Sequence, residues 1–176
     1  MIDINNMKSR INIFGYENIN DDAIITLYLS ANKDISIIEE FEDFFDFEYI
    51  NNGHRHRHEF KEDVLEKYFN KLSIARISKY SYLSDEFIRK FSGRLDFDLL
   101  STYCVLSNEI IDEFSDKINF AYLSYYNKIT LHVAKKYIDL IKKNHVLDNP
   151  NTTKEVYDFV HEKHFKTYIQ NVYNCI

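Results

Sequence analysis

The sequence predicts an all-α chain: a short solenoid of helix–turn–helix repeats with atypical capping helices at its N- and C-terminal ends. Three observations lead there. One unit occurs three times end to end, as FKEDVLEKYFNKLSIARISKYSY (60–82), LSDEFIRKFSGRLDFDLLSTYCV (83–105) and LSNEIIDEFSDKINFAYLSYYNK (106–128). The copies start at 60, 83 and 106, a gapless period of 23 residues, and such a period marks stacked supersecondary units. The apolar residues inside each copy recur at helical spacing, and breakers are scarce, with three Gly and one Pro in 176 residues.

Each copy divides into two short helices. Val64, Phe87 and Ile110 align, then Leu65, Ile88 and Ile111, then Tyr68, Phe91 and Phe114. These columns stand at i, i+1 and i+4, one face of a first helix. After a polar break come Leu72, Leu95 and Ile118, then Ile74, Phe97 and Phe120, then Ile77, Leu100 and Leu123, the face of a second. The caps fit this division. Ser73, Asp96 and Asn119 precede the second helix, and Ser84, Ser107 and Thr130 precede the first. Their side-chain oxygens can accept from the free N–H groups of a first turn. Helices of about two turns do not persist alone, because nucleation costs more than so short a propagation returns. Each copy must therefore bury its apolar face against its neighbours.

The whole chain, 1–176, is expected to form a single domain. Residues 1–32 read as an N-terminal lead-in and cap, with a helix over 21–30. Residues 33–151 read as repeats. The first is a degenerate copy at about 33–55, in which Ile37, Ile38, Phe41, Phe45, Phe47 and Ile50 take the apolar columns and Asp46 the cap column. About four extra residues then intervene within NNGHRHRHE. A fourth clear copy begins with Ile129, Thr130, Val133, Ala134, Tyr137 and Ile141, then decays into a polar stretch holding Pro150. Residues 152–176 read as a C-terminal capping helix, opened by a Thr152–Glu155 capping box, with Val156, Phe159, Val160, Ile169 and Val172 along one side.

Composition excludes several functions. The net charge is −6, and Lys and Arg are scattered among Asp and Glu, which argues against nucleic-acid binding. No apolar run approaches a membrane span, and MIDINNMKSR lacks the apolar core of a signal peptide. Cys104 and Cys175 form no metal or redox spacing. A cytoplasmic setting with reduced thiols is expected.

The pattern in LSDEFIRKFSGRLDFDLLS and LSNEIIDEFSDKINFAYLS resembles repeats in proteins of large DNA viruses and some tailed phages, many of which carry Trp where this chain has Phe97 and Phe120. The resemblance covers roughly residues 33–141 and is close over 60–128. It implies a helical repeat fold and a viral gene product acting in a host cell, and it implies no catalytic residue.

The most unusual local stretch holds His54, Arg55, His56, Arg57 and His58. Alternating imidazoles could bind a transition metal, but the arginines would repel a cation and no fourth ligand completes the set. No metal and no cofactor are expected. The plain reading is a solvated loop between repeats, and the functional reading is contact with an anionic or acidic partner. Tyr80, Tyr103 and Tyr126 form a second column, near the end of the second helix. Stacking between adjacent copies is preferred there to a recognition surface, but both readings stay open. Ser78, Ser101 and Ser124 read as structural hydroxyls. His161 and His164, spaced i, i+3, read as exposed helix histidines, and His132 and His145 stand alone. The carboxylates Glu39, Glu40, Asp43 and Asp46 read as a solvated face.

Function is expected to be a non-catalytic protein–protein interaction module, and with the resemblance a viral factor that binds and inhibits or sequesters a host protein. The contacts assigned to it are His54, Arg55, His56, Arg57, His58, Tyr80, Tyr103 and Tyr126. Two alternatives stand beside it: a small-ligand or nucleotide-binding protein built on the His/Arg insertion, and an acidic mimic of nucleic acid. An exposed apolar end of the array is also open to pairing with another copy of the chain.

Overall fold

The computed structural model describes residues 47–52, 61–80 and 82–173. Among these, every regular element is a helix. The chain divides into two compact units, Met1–Ser81 and Tyr82–Ile176. The degenerate copy before residue 47 and the His54–His58 stretch lie outside the described residues.

In the first unit, α1 spans Phe47–Asn52, α2 Glu62–Lys67 and α3 Ile74–Tyr80. Val64, Leu65, Tyr68, Phe69, Leu72 and Ile77 are buried. Phe47 opens α1 and packs on Tyr68, with ring centroids 5.2 Å apart, and Lys71 lies over both rings. Asn51 Oδ1 accepts from the backbone N–H of Ser73 at 2.6 Å, while its amide donates to the Lys71 carbonyl at 3.0 Å.

In the second unit, α4 spans Asp85–Phe91, α5 Phe97–Tyr103, α6 Asn108–Glu113, α7 Phe120–Tyr126, α8 Leu131–Lys136, α9 Lys143–Asp148 and α10 Lys154–Tyr173. The starts of α4, α6 and α8 fall at 85, 108 and 131, and those of α5, α7 and α9 at 97, 120 and 143, 23 residues apart in each series. α5 packs on α7 and α7 on α9; α6 packs on α8; α10 packs on both α8 and α9. The core lies between the two series, where Phe87, Ile88, Leu100, Ile110, Ile111, Leu123, Val133, Ala134 and Val146 are buried.

The caps form as side-chain chemistry dictates. Ser84, Ser107 and Thr130 accept from the N–H of Phe87, Ile110 and Val133 at 3.1, 3.1 and 3.2 Å. Asp96 and Asn119 accept from Leu99 and Tyr122 at 3.0 and 3.1 Å. The same hydroxyls also tie neighbouring copies together. Ser107 Oγ donates to Asp85 Oδ2 and Thr130 Oγ1 to Asn108 Oδ1, both at 2.7 Å. One oxygen thus starts its own helix and clamps the start of the preceding one.

The serines at 101 and 124 are fully buried and bond back to the carbonyls of Phe97 and Phe120. Ser101 Oγ also accepts from the N–H of Asn119 at 3.1 Å. A small hydroxyl fills this column because the next helix start must come within hydrogen-bond reach. In the first unit Asn51, 50 residues before Ser101, receives the N–H of Ser73 in the same way.

Three sequence expectations are corrected. The fourth copy does not decay at residue 142: α9 forms, and Val146 is buried where the column of Leu100 and Leu123 continues. Its cap is lost, since Lys142 offers no acceptor. The last helix is capped by Thr153, whose Oγ1 accepts from Val156 at 3.4 Å. Thr152 instead donates to the Val146 carbonyl at 2.6 Å, closing the end of α9. His164 is half-buried rather than exposed.

Candidate functional site

α5 and α7 each bury three residues, whereas α9 buries only Val146. In α7 the buried set is Phe120, Leu123 and Ser124, spaced i, i+3 and i+4 along one side. That spacing turns Tyr122, Tyr125 and Tyr126 outward, at 44, 49 and 51% exposure. In α5 the buried set is Phe97, Leu100 and Ser101, and Tyr103 stands 49% exposed. The outcome is an aromatic face on adjacent helices, with Asp98 of α5 and Asp148 of α9 also exposed.

The rings of this face are ordered against one another. Tyr126 meets Tyr125 edge-on at 4.7 Å and Tyr122 at 6.4 Å. Tyr125 also meets the His145 ring edge-on at 5.2 Å. His145 Nδ1 lies 3.1 Å from the Ala121 carbonyl; a carbonyl can only accept, so Nδ1 carries the proton and donates. This bond fixes α9 against α7 and holds the ring that walls Tyr125. Asp98 Oδ1 accepts from the Asn119 amide at 2.8 Å, which orients the carboxylate at the rim. Aromatic side chains set rigidly in this way offer large contact area at low entropic cost.

Of the sequence-predicted contacts, Tyr103 and Tyr126 fall on this face. Tyr80 is the last residue of α3, and its side chain lies outside the described residues, as do His54, Arg55, His56, Arg57 and His58. Tyr122 and Tyr125 were not singled out from the sequence. The available signal was an aromatic at a column that the core does not use, in a helix reading FAYLSYY.

A second cluster sits between α6 and α8. Asp112 Oδ2 accepts from Lys136 Nζ and faces His132 Nε2, each at 2.9 Å, and Asp112 Oδ1 accepts from Tyr137 OH at 2.8 Å. The Lys136 bond comes first among the causes that hold the Asp112 carboxyl down at about 2. Such a group is ionised and engaged at neutral pH, and it serves to tie one copy to the next. One copy earlier, Arg89 Nε and Glu113 Oε2 make the corresponding link at 2.6 Å. Among the described residues, no group of three or more His, Cys, Asp or Glu is placed to hold a metal ion, and no helix is long and apolar enough to cross a membrane. His161 stacks on Tyr157, with centroids 6.0 Å apart.

Compared with known protein families, with curated proteins and with solved structures, the chain finds no match.

Proposed function

We propose that this chain is a non-catalytic protein–protein interaction module. Its helix pairs stack at the 23-residue period as a short solenoid, and α10 caps the C-terminal end. The single observation that carries the reading is the face of Tyr103, Tyr122, Tyr125 and Tyr126, four half-exposed aromatics on adjacent helices. A solenoid has no need of aromatic residues at columns outside its core, whereas recognition surfaces are enriched in tyrosine. The stacking contacts of α5, α7 and α9 and the placement of α10 against both α8 and α9 support the architectural half of the reading. On the sequence resemblance alone, the partner is a host-cell protein and the chain a viral factor that inhibits or sequesters it in the cytoplasm.

The test is capture from a crosslinked lysate of the native host cell. Tagged wild-type chain is compared with a variant carrying Tyr122→Ser, Tyr125→Ser and Tyr126→Ser, both checked for helicity by circular dichroism. Enrichment of a discrete protein by the wild type, lost in the folded variant, supports the module. Equal capture by both, or by neither, counts against it.

A further inference from the structure

The tyrosine face has a charge signature that specifies the chemistry of what it fits. Along α5 (FDLLSTY) and α7 (FAYLSYY) the only charged residue is Asp98. The third helix, α9, adds Asp148, which is exposed. Its one lysine, Lys143, is half-buried beside His164 of α10, whose protonation it opposes. Arg89 and Lys90 stand in the last turn of α4 and Lys135 and Lys136 in that of α8, while the exposed Arg94, Lys117, Lys128 and Lys142 lie in the connections, Lys142 directly before α9. Within α5, α7 and α9 the face is four tyrosine rings flanked by two carboxylates, with no exposed lysine or arginine inside the three helices; the nearest exposed cations along the chain are Lys128 after α7 and Lys142 before α9.

A tyrosine ring presents a negative quadrupole to whatever lies over its face, and a guanidinium or ammonium there is attracted. A flanking carboxylate adds a charge-assisted bond, best met by the planar fork of arginine. We infer that the face of Tyr103, Tyr122, Tyr125 and Tyr126, bounded by Asp98 and Asp148, receives an extended, arginine-bearing segment of a partner protein. This rests on the interaction-module reading and adds the partner's chemistry to it. The spacing sets a register. Asp98 and Asp148 lie on helices two packing distances apart, at about 8–10 Å each. The span is thus about 20 Å, the reach of roughly six extended residues. Two arginines about six residues apart engage both carboxylates while the chain between them crosses the rings.

The probe is a fluorescein-labelled Gly/Ser peptide bearing two arginines about six residues apart, followed by fluorescence anisotropy at about 0.15 M salt. A matched peptide carries glutamine in place of arginine. The arginine peptide is expected to bind about tenfold more tightly or better. The double variant Asp98→Asn with Asp148→Asn, and the Tyr122→Ser, Tyr125→Ser, Tyr126→Ser variant, are each expected to lose about tenfold. A control with Glu86→Gln and Glu155→Gln removes the same charge from helices outside the face and is expected to change affinity by less than about twofold. Equal binding of the two peptides, no binding of either, or an equal loss in the charge control overturns the inference. The two levels separate cleanly. If a captured protein is lost with the tyrosine variant but not displaced by excess arginine peptide, the cationic segment is refuted and the module stands. If the tyrosine variant captures as the wild type does, the module itself falls.

Discussion

Replacing Asn149 removes one side chain that closes several backbone groups at once. Asn149 is 5% exposed at the C-terminal end of α9. Its amide donates to the carbonyl of Ser124 at 3.0 Å and to that of Asn127 at 2.6 Å, and its Oδ1 accepts from the Asn151 N–H at 2.8 Å. The Ser124 carbonyl belongs to the last turn of α7, where helix carbonyls lack intrahelical partners. Asn149→Ala orphans that acceptor in a buried setting, at a cost of about 1–3 kcal/mol. The partly buried Asn127 carbonyl and the lost Asn151 bond add about 1 kcal/mol between them. The expected total is about 2–4 kcal/mol, or roughly 4–16 °C in Tm for a chain of this size. Asn149→Asp makes a sharper test. It keeps the acceptor for Asn151 but sets an anionic oxygen against two carbonyls, so it should be worse than alanine at pH 7. Asn127→Ala loses one bond, from its amide to the Ser101 carbonyl at 2.5 Å, and should cost about 1–1.5 kcal/mol. Thermal and urea unfolding followed by far-ultraviolet circular dichroism measure all three. A loss below about 0.5 kcal/mol in Asn149→Ala, or wild-type stability in Asn149→Asp, would refute the reasoning.

Burial pushes the Cys104 thiol up to about 11, so in a Cys175→Ser background its reaction with a disulfide reagent at pH 8 should run at least ~100-fold slower in the native chain than in urea; comparable rates would show the site to be open. Asp112 sits at about 2 when folded against 3.8 ordinarily, so the folded state holds fewer protons between those values. Its contribution is complete above the unfolded value and is lost as pH falls toward 2, and the stability gap between wild type and Asp112→Asn should close over that window. The His164 imidazole is held below its ordinary 6.5, first by burial and then by Lys143, with Asp139 opposing, and its Nε2 is buried with no hydrogen-bond partner among the described residues. The unfolded chain takes up this proton more readily, so stability is complete above about 6.5 and declines as pH falls; His164→Leu should flatten the Tm profile between pH 7.5 and 5.5 by about a few degrees at most. A Cβ at Gly93 meets nothing within 4 Å, and Asn70, Asp116 and Asp139 occupy the same column of other copies, so Gly93→Ala should stabilise by about 0.4–1 kcal/mol through the unfolded chain, whereas a loss of stability in urea titration would place Gly93 in a conformation that alanine cannot adopt.

Helical class, the phase of the helix starts and most of the core were legible in the residues, because these depend on local terms. A period of 3.6 marks a buried stripe, and a serine or asparagine one step before that stripe marks its cap. Phe87, Leu100, Ile110 and Leu123 were readable as core on this basis, and they are buried. The third apolar column was only partly so. Phe91 and Phe114 remain half-exposed: Phe91 packs on Phe87, and Phe114 packs on Phe97 with the Lys117 ammonium over both rings.

What tertiary structure alone decided lies between copies. Asn127 and Asn149 have different offsets within their repeats, 22 residues apart instead of 23, so no column reveals them. They become a pair only when each amide meets the carbonyl of the preceding second-series helix. α9 lacks both the apolar start and the cap of its counterparts, and it persists because Val146 still has α7 and α10 to bury against. The tyrosine face likewise required adjacency: Tyr103 and Tyr126 share a column, but Tyr122, Tyr125, Asp98 and Asp148 join them only once α5, α7 and α9 lie side by side. Sequence determines which side of each short helix is apolar, through spacing along one chain. Which outward residues come together is set by how neighbouring helices pack, and that information resides in distances between segments.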